Sequence, residues 1–234
     1  MKFKISIILL KIILNISLFS RELNVDTYQS TESKIFEFEK VKNIPELTLV
    51  LITEDNEILN NFDYTVLRNI KITTSKINYE LGSTSKAFTA LAVLNLEKEG
   101  MLDQNDSISI YIPWLQFKYK DKIVDITLSH LIHQTNGIPW NTICSIQKSN
   151  KDNSLEQTIQ NINGIELSHE LGSKFEYTTI NYDILGLIIE KVSEMSYEKY
   201  MEENIFKPLG LNNTSIGITK DKDLMSKGYK IGIL

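Results

Sequence analysis

Residues 82–90 read GSTSKAFTA and begin a long apolar segment. They place the hydroxyl of Ser83 and the amine of Lys86 three positions apart, so that both lie on one face if the segment is helical. A serine hydroxyl becomes a nucleophile when a neighbouring base takes its proton, and a lysine of lowered pKa can be that base. Free backbone N–H groups at a helix start also favour developing negative charge. The stretch predicts an acyl-transfer site, although the spacing alone also fits an ordinary helix start with an exposed lysine.

Four segments resemble one known superfamily in the same order. Residues 80–113 read ELGSTSKAFTALAVLNLEKEGMLDQNDSISIYIP, residues 126–139 read ITLSHLIHQTNGIP, residues 175–186 read FEYTTINYDILG, and residues 206–214 read FKPLGLNNT. They resemble the serine β-lactamase and penicillin-binding protein superfamily, and within it the class C β-lactamase-like branch. That branch typically has GSxSKxFTA, ITIRHLLTHTSGLP, FxYSNxxYxLLG and IFxPLGMxDT at the corresponding places.

The resemblance implies an α+β fold of the β-lactamase/transpeptidase-like type. An antiparallel sheet is flanked by helices, and a mostly helical subdomain completes the fold. We expect this domain over residues 44–234, in an incomplete form that lacks the C-terminal strands. The family carries a third motif, K-T-G or H-x-G, far beyond its tyrosine motif, whereas only 57 residues follow Tyr177 here. Residues 230–232 (KIG) resemble that motif only superficially, because they come too early in the chain.

The resemblance also assigns roles to residues near Tyr177. In the family, the tyrosine of Y-x-N stands beside the serine and lysine and passes a proton to the leaving group, so Ser83, Lys86 and Tyr177 are the predicted catalytic residues. Thr179 occupies the position of the motif's asparagine and is the predicted substrate-binding residue. A threonine offers one hydroxyl where an asparagine amide offers both a donor and an acceptor, so substrate anchoring should differ from the family's. The implied mechanism needs no metal and no organic cofactor.

Local patterns predict the elements around these residues. A strand-like run at 47–53, a turn at 54–57 and a returning strand at 58–64 predict a hairpin. The helix after Ser83 should run to about Glu99 and end at Gly100. Further predicted helices begin at Thr127 and end at His133, span 179–194, and begin at Ser196 and end before Pro208. We expect residues 142–165, which are polar and rich in asparagine, to form a surface insertion.

The N-terminus resembles a targeting element. Lys2 and Lys4 form a basic region, and residues 5–19 read ISIILLKIILNISLF, which is apolar apart from one lysine and a few small polar residues. We predict that residues 1–20 are a secretory signal, with an uncleaved membrane anchor as the alternative and an amphipathic cytosolic segment after that. Residues 21–43 should be a polar spacer. The protein is therefore expected to be exported, extracytoplasmic or membrane-anchored.

Composition excludes several other classes of protein. The chain has 234 residues, 42% hydrophobic and 24% charged, with a net charge of −5 and no basic cluster in the predicted domain. We therefore expect no nucleic-acid partner; the expected partners are a small-molecule or peptide substrate and, through the N-terminus, a membrane. The single Cys144 and three scattered histidines give no zinc-type spacing, so no metal is predicted. His130 and His133 should pack within a helix, and Cys144 should be a buried thiol. The oligomeric state stays open.

Three functions fit these observations. The first is an exported serine hydrolase that acts on a peptide, ester or β-lactam carbonyl through a Ser83 acyl-enzyme, like the family's D-alanyl-D-alanine carboxypeptidases, β-lactamases and peptidases. The second is a penicillin-binding or sensor-like protein that is acylated without turnover. The third is an inactive truncated homologue. The first is the function that the motifs favour.

Overall fold

Two antiparallel strands are the first elements of the computed structural model, which describes residues 46–52, 58–65, 78–145, 154–217 and 225–226. Strand β1 spans Glu46–Ile52 and strand β2 spans Ile58–Thr65. Their register pairs Glu46 with Thr65 and shifts at a bulge between Leu51 and Ile52. The predicted hairpin is therefore confirmed in its strands, while the predicted turn lies outside the described residues.

The hairpin and the helices belong to two separate units. Residues 1–77 and 227–234 form the unit that contains the hairpin, and residues 78–226 form the unit that contains every described helix. The elements of the second unit, in chain order, are a 3-10 turn at Gly82–Ser85, α1 at Lys86–Lys98, α2 at Ile108–Tyr111, β3 at Phe117–Tyr119, β4 at Lys122–Val124, α3 at Leu128–Ile132, a 3-10 helix at Trp140–Ser145, α4 at Ser154–Gln160, α5 at Ile180–Ser193, α6 at Tyr197–Tyr200 and a π-helical segment at Met201–Phe206.

The core of the second unit forms where α1 packs against α5. Helix α1 buries Ala92, Val93 and Leu96 completely, and α5 buries Ile184 and Ile188 in the same way. Residues three and four apart share a helix face, so each of these helices turns an apolar side toward the core. Helix α1 ends as predicted, because Gly100 has a φ of +71° and its N–H donates to the carbonyl of Glu97.

Helix α3 begins with a reciprocal cap built from the predicted residues. The hydroxyl of Thr127 accepts from the N–H of His130, and Nδ1 of His130 accepts from the N–H of Thr127 at 3.2 Å. Burial lowers the pKa of His130 against the opposing charge of Asp125, which favours the neutral ring that this cap requires. His133 is the C-terminal cap, and its Nδ1 donates to the carbonyl of Ser129 at 2.8 Å. Both histidines thus make local helix contacts, and no metal-holding group of three or more ligands occurs in the described part of the chain.

Two expectations from the sequence are wrong. The stretch 142–165 is not simply a surface insertion, because it contains α4 and completely buries Ile159 and Ile162. Cys144, expected to be buried, is exposed in the 3-10 helix that precedes α4. In both cases the local composition misled, because burial depends on where the segment packs.

Several predictions fall on residues outside the described ranges. The predicted signal or anchor at 1–20, the spacer at 21–43 and the KIG segment at 230–232 all lie there. Among the helices that the structure does describe, none combines the length and apolar character that a bilayer crossing needs.

The core predicts a contrast between two leucines of α1. Leu96 is fully buried, whereas Leu94 is 46% exposed. Leu96→Ala should lower the free energy of unfolding by about 2–5 kcal/mol, because it removes buried methyl groups and leaves a cavity. Leu94→Ala, the matched control, should change it by less than about 1 kcal/mol. Urea denaturation of both variants measures the difference, and equal losses would contradict this description of the core.

Candidate active site

Ser83 lies in the 3-10 turn Gly82–Ser85, which leads directly into α1. Gly82 has a φ of +54°, a conformation that glycine adopts without steric cost. The hydroxyl of Ser85 donates to the carbonyl of Gly82 at 2.7 Å and closes the turn. The Ser83 side chain is exposed, so its hydroxyl is accessible to a substrate.

Lys86 is the first residue of α1 and reaches back to Ser83. Its Nζ donates to Oγ of Ser83 at 3.4 Å, which is the one-turn contact that the spacing predicts. The same Nζ lies 5.2 Å from the ring centroid of Tyr177 and 5.7 Å from that of Tyr182. Aromatic faces attract a cation, so the two rings favour a fixed position for the amine.

Tyr177 completes a three-residue cluster from a distant part of the chain. Its hydroxyl donates to Oγ of Ser83 at 2.7 Å, across a sequence separation of 94 residues. The hydroxyl of Ser83 therefore accepts from both Lys86 and Tyr177. The structure thus brings together all three predicted catalytic side chains.

The cluster changes the acidity of the phenol. Partial burial acts to raise the pKa of Tyr177, but hydrogen bonds with Lys86 and Ser83, the charge of Lys86 and a hydrogen bond with Thr179 together outweigh it. The net result is a pKa below the ordinary value of 10.0. A lowered pKa makes the phenolate more accessible at moderate pH, and this suits a residue that accepts and returns a proton.

Thr179 lies at the N-terminal cap of α5, where its side chain makes no capping hydrogen bond. Its hydrogen bond with Tyr177 instead helps to lower the pKa of the phenol. The side chain thus contacts the predicted catalytic tyrosine, and its role in substrate binding stays a prediction. Asn181, two residues further on, is completely buried and cannot take that role in this structure.

Asp183 is a largely buried acid in the first turn of α5. Burial raises its pKa from 3.8 to about 6, and the charge of Lys86 opposes this rise. The carboxylate and the ammonium therefore interact, so Asp183 adds negative potential to the surroundings of Lys86 at neutral pH. Sequence reasoning missed it because an acidic residue in the first turn of a helix is common and indicates no particular function.

Sequence reasoning also missed residues that hold the tyrosines. The hydroxyl of Tyr182, whose ring contacts Lys86, donates to the carbonyl of Ile132 at 3.1 Å. Glu176 accepts a hydrogen bond from the hydroxyl of Ser168 at 2.7 Å, and this bond leads the causes that lower its pKa. In the sequence, the one signal for these residues was that they lie next to the Y-x-N-like motif. Their contacts become visible only in the folded chain.

Comparison with known proteins identifies the family. The sequence profile described as Beta-lactamase matches residues 36–228. The chain belongs to the beta-lactamase family. This match confirms the resemblance to the serine β-lactamase and penicillin-binding protein superfamily. Together with the solved penicillin-binding protein homologue, it also confirms the β-lactamase/transpeptidase-like fold.

Three members or relatives of the beta-lactamase family show the range of similarity. "Protein flp" of Staphylococcus aureus (strain N315) is 36% identical over 202 residues, covering 86% of this chain and 40% of its own length. "Putative D-alanyl-D-alanine carboxypeptidase" of Salmonella agona (strain SL483) is 31% identical, covering 73% and 43%. The octameric penicillin-binding protein homologue from Pyrococcus abyssi is 27% identical with a TM-score of 0.66, covering 79% and 43%. The chain thus spans less than half the length of these relatives.

The cluster predicts a change in the titration of Tyr177. Lys86→Ala should raise the pKa of Tyr177, because it removes both a hydrogen bond and a positive charge. Near-ultraviolet difference titration against Tyr177→Phe, in the wild-type and Lys86→Ala backgrounds, isolates this phenol. Lys98→Ala, in the last turn of α1, is the control and should leave the titration unchanged. An unaltered pKa in Lys86→Ala would contradict the described geometry.

Replacement of Asp183 by asparagine should increase the free energy of unfolding by an amount that depends on pH. Its folded pKa of about 6 exceeds the ordinary 3.8, so its protonation stabilises the fold fully below pH 3.8, and this contribution is lost as the pH rises through about 6. Asp183→Asn, which cannot ionise, should therefore gain about 1–3 kcal/mol relative to wild type between about pH 4 and about pH 7.5. Denaturant titrations at both pH values measure the gain. Asp121→Asn, at an exposed carboxylate, should not show it, and a pH-independent difference for Asp183→Asn would refute the assignment.

Proposed function

We propose that this beta-lactamase-family chain acts through a covalent acyl-enzyme on Ser83, formed from an amide, ester or β-lactam carbonyl. The observation that carries the proposal is the double contact at Oγ of Ser83, 2.7 Å from the hydroxyl of Tyr177 and 3.4 Å from Nζ of Lys86. Family membership supports serine hydrolase chemistry in general. The similarity to a protein named as a putative carboxypeptidase supports a substrate with a peptide (amide) bond.

In the proposed reaction, Lys86 and Tyr177 share the role of base. One of them, in its deprotonated form, takes the proton from Oγ of Ser83, and Oγ then attacks the carbonyl carbon. The backbone N–H of Ser83, at the start of the helix, helps to hold the oxyanion. The bond from carbon to the leaving group breaks, and Tyr177 passes the proton to the leaving atom. Water then hydrolyses the ester on Ser83 and restores its hydroxyl.

The location of this chemistry is a separate proposal. The basic start at Lys2 and Lys4, followed by the apolar run at 5–19, supports export or membrane anchoring of the protein. An exported enzyme would meet cell-wall peptides and external β-lactams. Expression of the chain with and without residues 1–20, followed by cell fractionation, tests the proposal, because both forms in the same soluble cytosolic fraction would rule it out.

Intact-protein mass spectrometry after exposure to a fluorophosphonate tests the nucleophile. Wild type should gain one adduct, and Ser83→Ala should gain none. Lys86→Ala should be labelled about 10²–10⁴-fold more slowly, because it lacks a partner in general base catalysis. Thr84→Ala, which removes a neighbouring exposed hydroxyl from the same turn, is the matched control and should be labelled like wild type. An adduct that persists in Ser83→Ala, or wild-type labelling of Lys86→Ala, would falsify the mechanism.

The second candidate is a penicillin-binding protein that is acylated but hydrolyses the adduct slowly. The similarity to the Pyrococcus abyssi penicillin-binding protein homologue favours it. Exposure to a penicillin, followed by removal of the free reagent, separates the two candidates by the lifetime of the mass adduct. A hydrolase should return to its original mass within the assay, whereas a slow acceptor should keep the penicilloyl mass.

A further inference from the structure

The loop after α3, residues 133–139, is hydrogen-bonded to residues 168–176, the segment that leads to Tyr177. The N–H of Ser168 donates to the carbonyl of Gly137 at 2.8 Å, and the N–H of Gly172 donates to the carbonyl of Thr135 at 2.8 Å. The segment therefore follows this loop through backbone hydrogen bonds, although it lies outside any regular sheet. Such bonds fix the path of the backbone toward the tyrosine.

Within this loop, Gln134 makes hydrogen bonds to residues on both sides of Tyr177. Its carbonyl accepts from the N–H of Glu176 at 2.9 Å. Its side-chain Oε1 accepts from the N–H of Thr178 at 3.0 Å and from Nδ2 of Asn181 at 2.7 Å. Three hydrogen bonds to one residue therefore hold the backbone on both sides of Tyr177 and the start of α5.

The burial and backbone of Gln134 show that this arrangement is specific. Only 5% of the residue is exposed, and its φ is +59°, which is unfavourable for a side chain with a Cβ. Asn181 and Thr178 are almost fully buried as well. A buried amide oxygen with two donors is well satisfied, whereas the loss of this acceptor would leave a buried N–H and a buried amide without a partner.

Tyr177 makes polar contacts with Ser83 and Lys86 but is only loosely packed. The residue is 43% exposed, and Phe175, two residues earlier, is 67% exposed, so core packing does not fix the phenol. The hydrogen bond to Ser83 needs the phenol oxygen to be placed within a few tenths of an ångström. A displacement of about 1 Å can cost on the order of 100-fold in rate.

We propose that Gln134 is a positioning residue that holds Tyr177 against Ser83 by fixing the backbone on both sides of the tyrosine. The catalytic part of this inference rests on the proposed acyl-enzyme function. In the family pattern ITIRHLLTHTSGLP, a histidine stands at the position of Gln134. A glutamine oxygen accepts two hydrogen bonds at any moderate pH, while a neutral imidazole accepts one and a protonated imidazole accepts none. The glutamine therefore suits a site in which two donors converge.

Three variants separate positioning from general stability. Gln134→Leu removes the acceptor and keeps a side chain of comparable bulk, and Gln134→Gly removes the acceptor while suiting the positive φ. Gln134→Glu keeps an oxygen acceptor at the same place. Gln160→Leu, at an exposed glutamine of α4, is the matched control. Far-ultraviolet circular dichroism and urea denaturation of each variant show whether it is folded.

The first readout is the titration of Tyr177, which does not require the chain to be active. In Gln134→Leu and Gln134→Gly, the pKa of Tyr177 should move toward its ordinary value of about 10, because the phenol leaves Lys86 and Ser83. Gln160→Leu should match wild type. A Tyr177 titration that is unchanged in a folded Gln134→Leu or Gln134→Gly variant would overturn the proposal.

The second readout is the rate of fluorophosphonate labelling at Ser83. It should fall about 10- to 100-fold in Gln134→Leu and Gln134→Gly, and Gln134→Glu should recover part of the loss. If wild type itself is not labelled, the proposed function fails, and the titration still decides whether Gln134 positions Tyr177. If labelling falls while the titration stays at its wild-type value, Gln134 acts in another way and the positioning role is wrong.

Discussion

The packing of α1 against α5 is the constraint on which the site depends. Lys86 is the first residue of α1, Ser83 lies in the 3-10 turn just before it, and Tyr177 lies three residues before α5 begins. The fully buried residues Ala92 and Leu96 on α1, and Ile184 and Ile188 on α5, hold the two helices in the core. The 2.7 Å contact between Tyr177 and Ser83 can form only if that packing brings the two helix starts together. Apolar burial distant from the chemistry thus sets the geometry of the polar cluster.

The charges around Lys86 form a small, balanced set. The ring centroids of Tyr177 and Tyr182 lie within 6 Å of its amine. The carboxyl of Asp183, on α5, interacts with it electrostatically. Each of these groups stabilises a positive amine, and the amine in turn favours the phenolate of Tyr177. The charge of Lys86 is therefore one of the causes of the lowered pKa of Tyr177.

Much of this arrangement could be predicted from the sequence. Helix periodicity and the glycine at position 100 gave the bounds of α1, and the Thr127 cap gave the start of α3, because these signals act within a few residues. Family resemblance gave the pairing of Tyr177 with Ser83, which no local pattern contains. The burial of Ile159 and Ile162, the exposure of Cys144 and the contacts of Gln134 were missed. All of these depend on which distant segment packs against the residue, and composition carries no information about that.

Gly82 and Gly137 differ in how much room the fold leaves for a side chain. Both have a positive φ, but a Cβ at Gly82 would meet no atom within 4 Å, whereas one at Gly137 would lie 2.6 Å from the carbonyl oxygen of His169. Asparagine tolerates the left-handed conformation better than most residues, so it is the side chain that position 82 would accept at the lowest cost. At position 137 any side chain would separate the loop from the segment that leads to Tyr177. A side chain at position 82 therefore strains only the local backbone, whereas one at position 137 also clashes with a neighbouring segment.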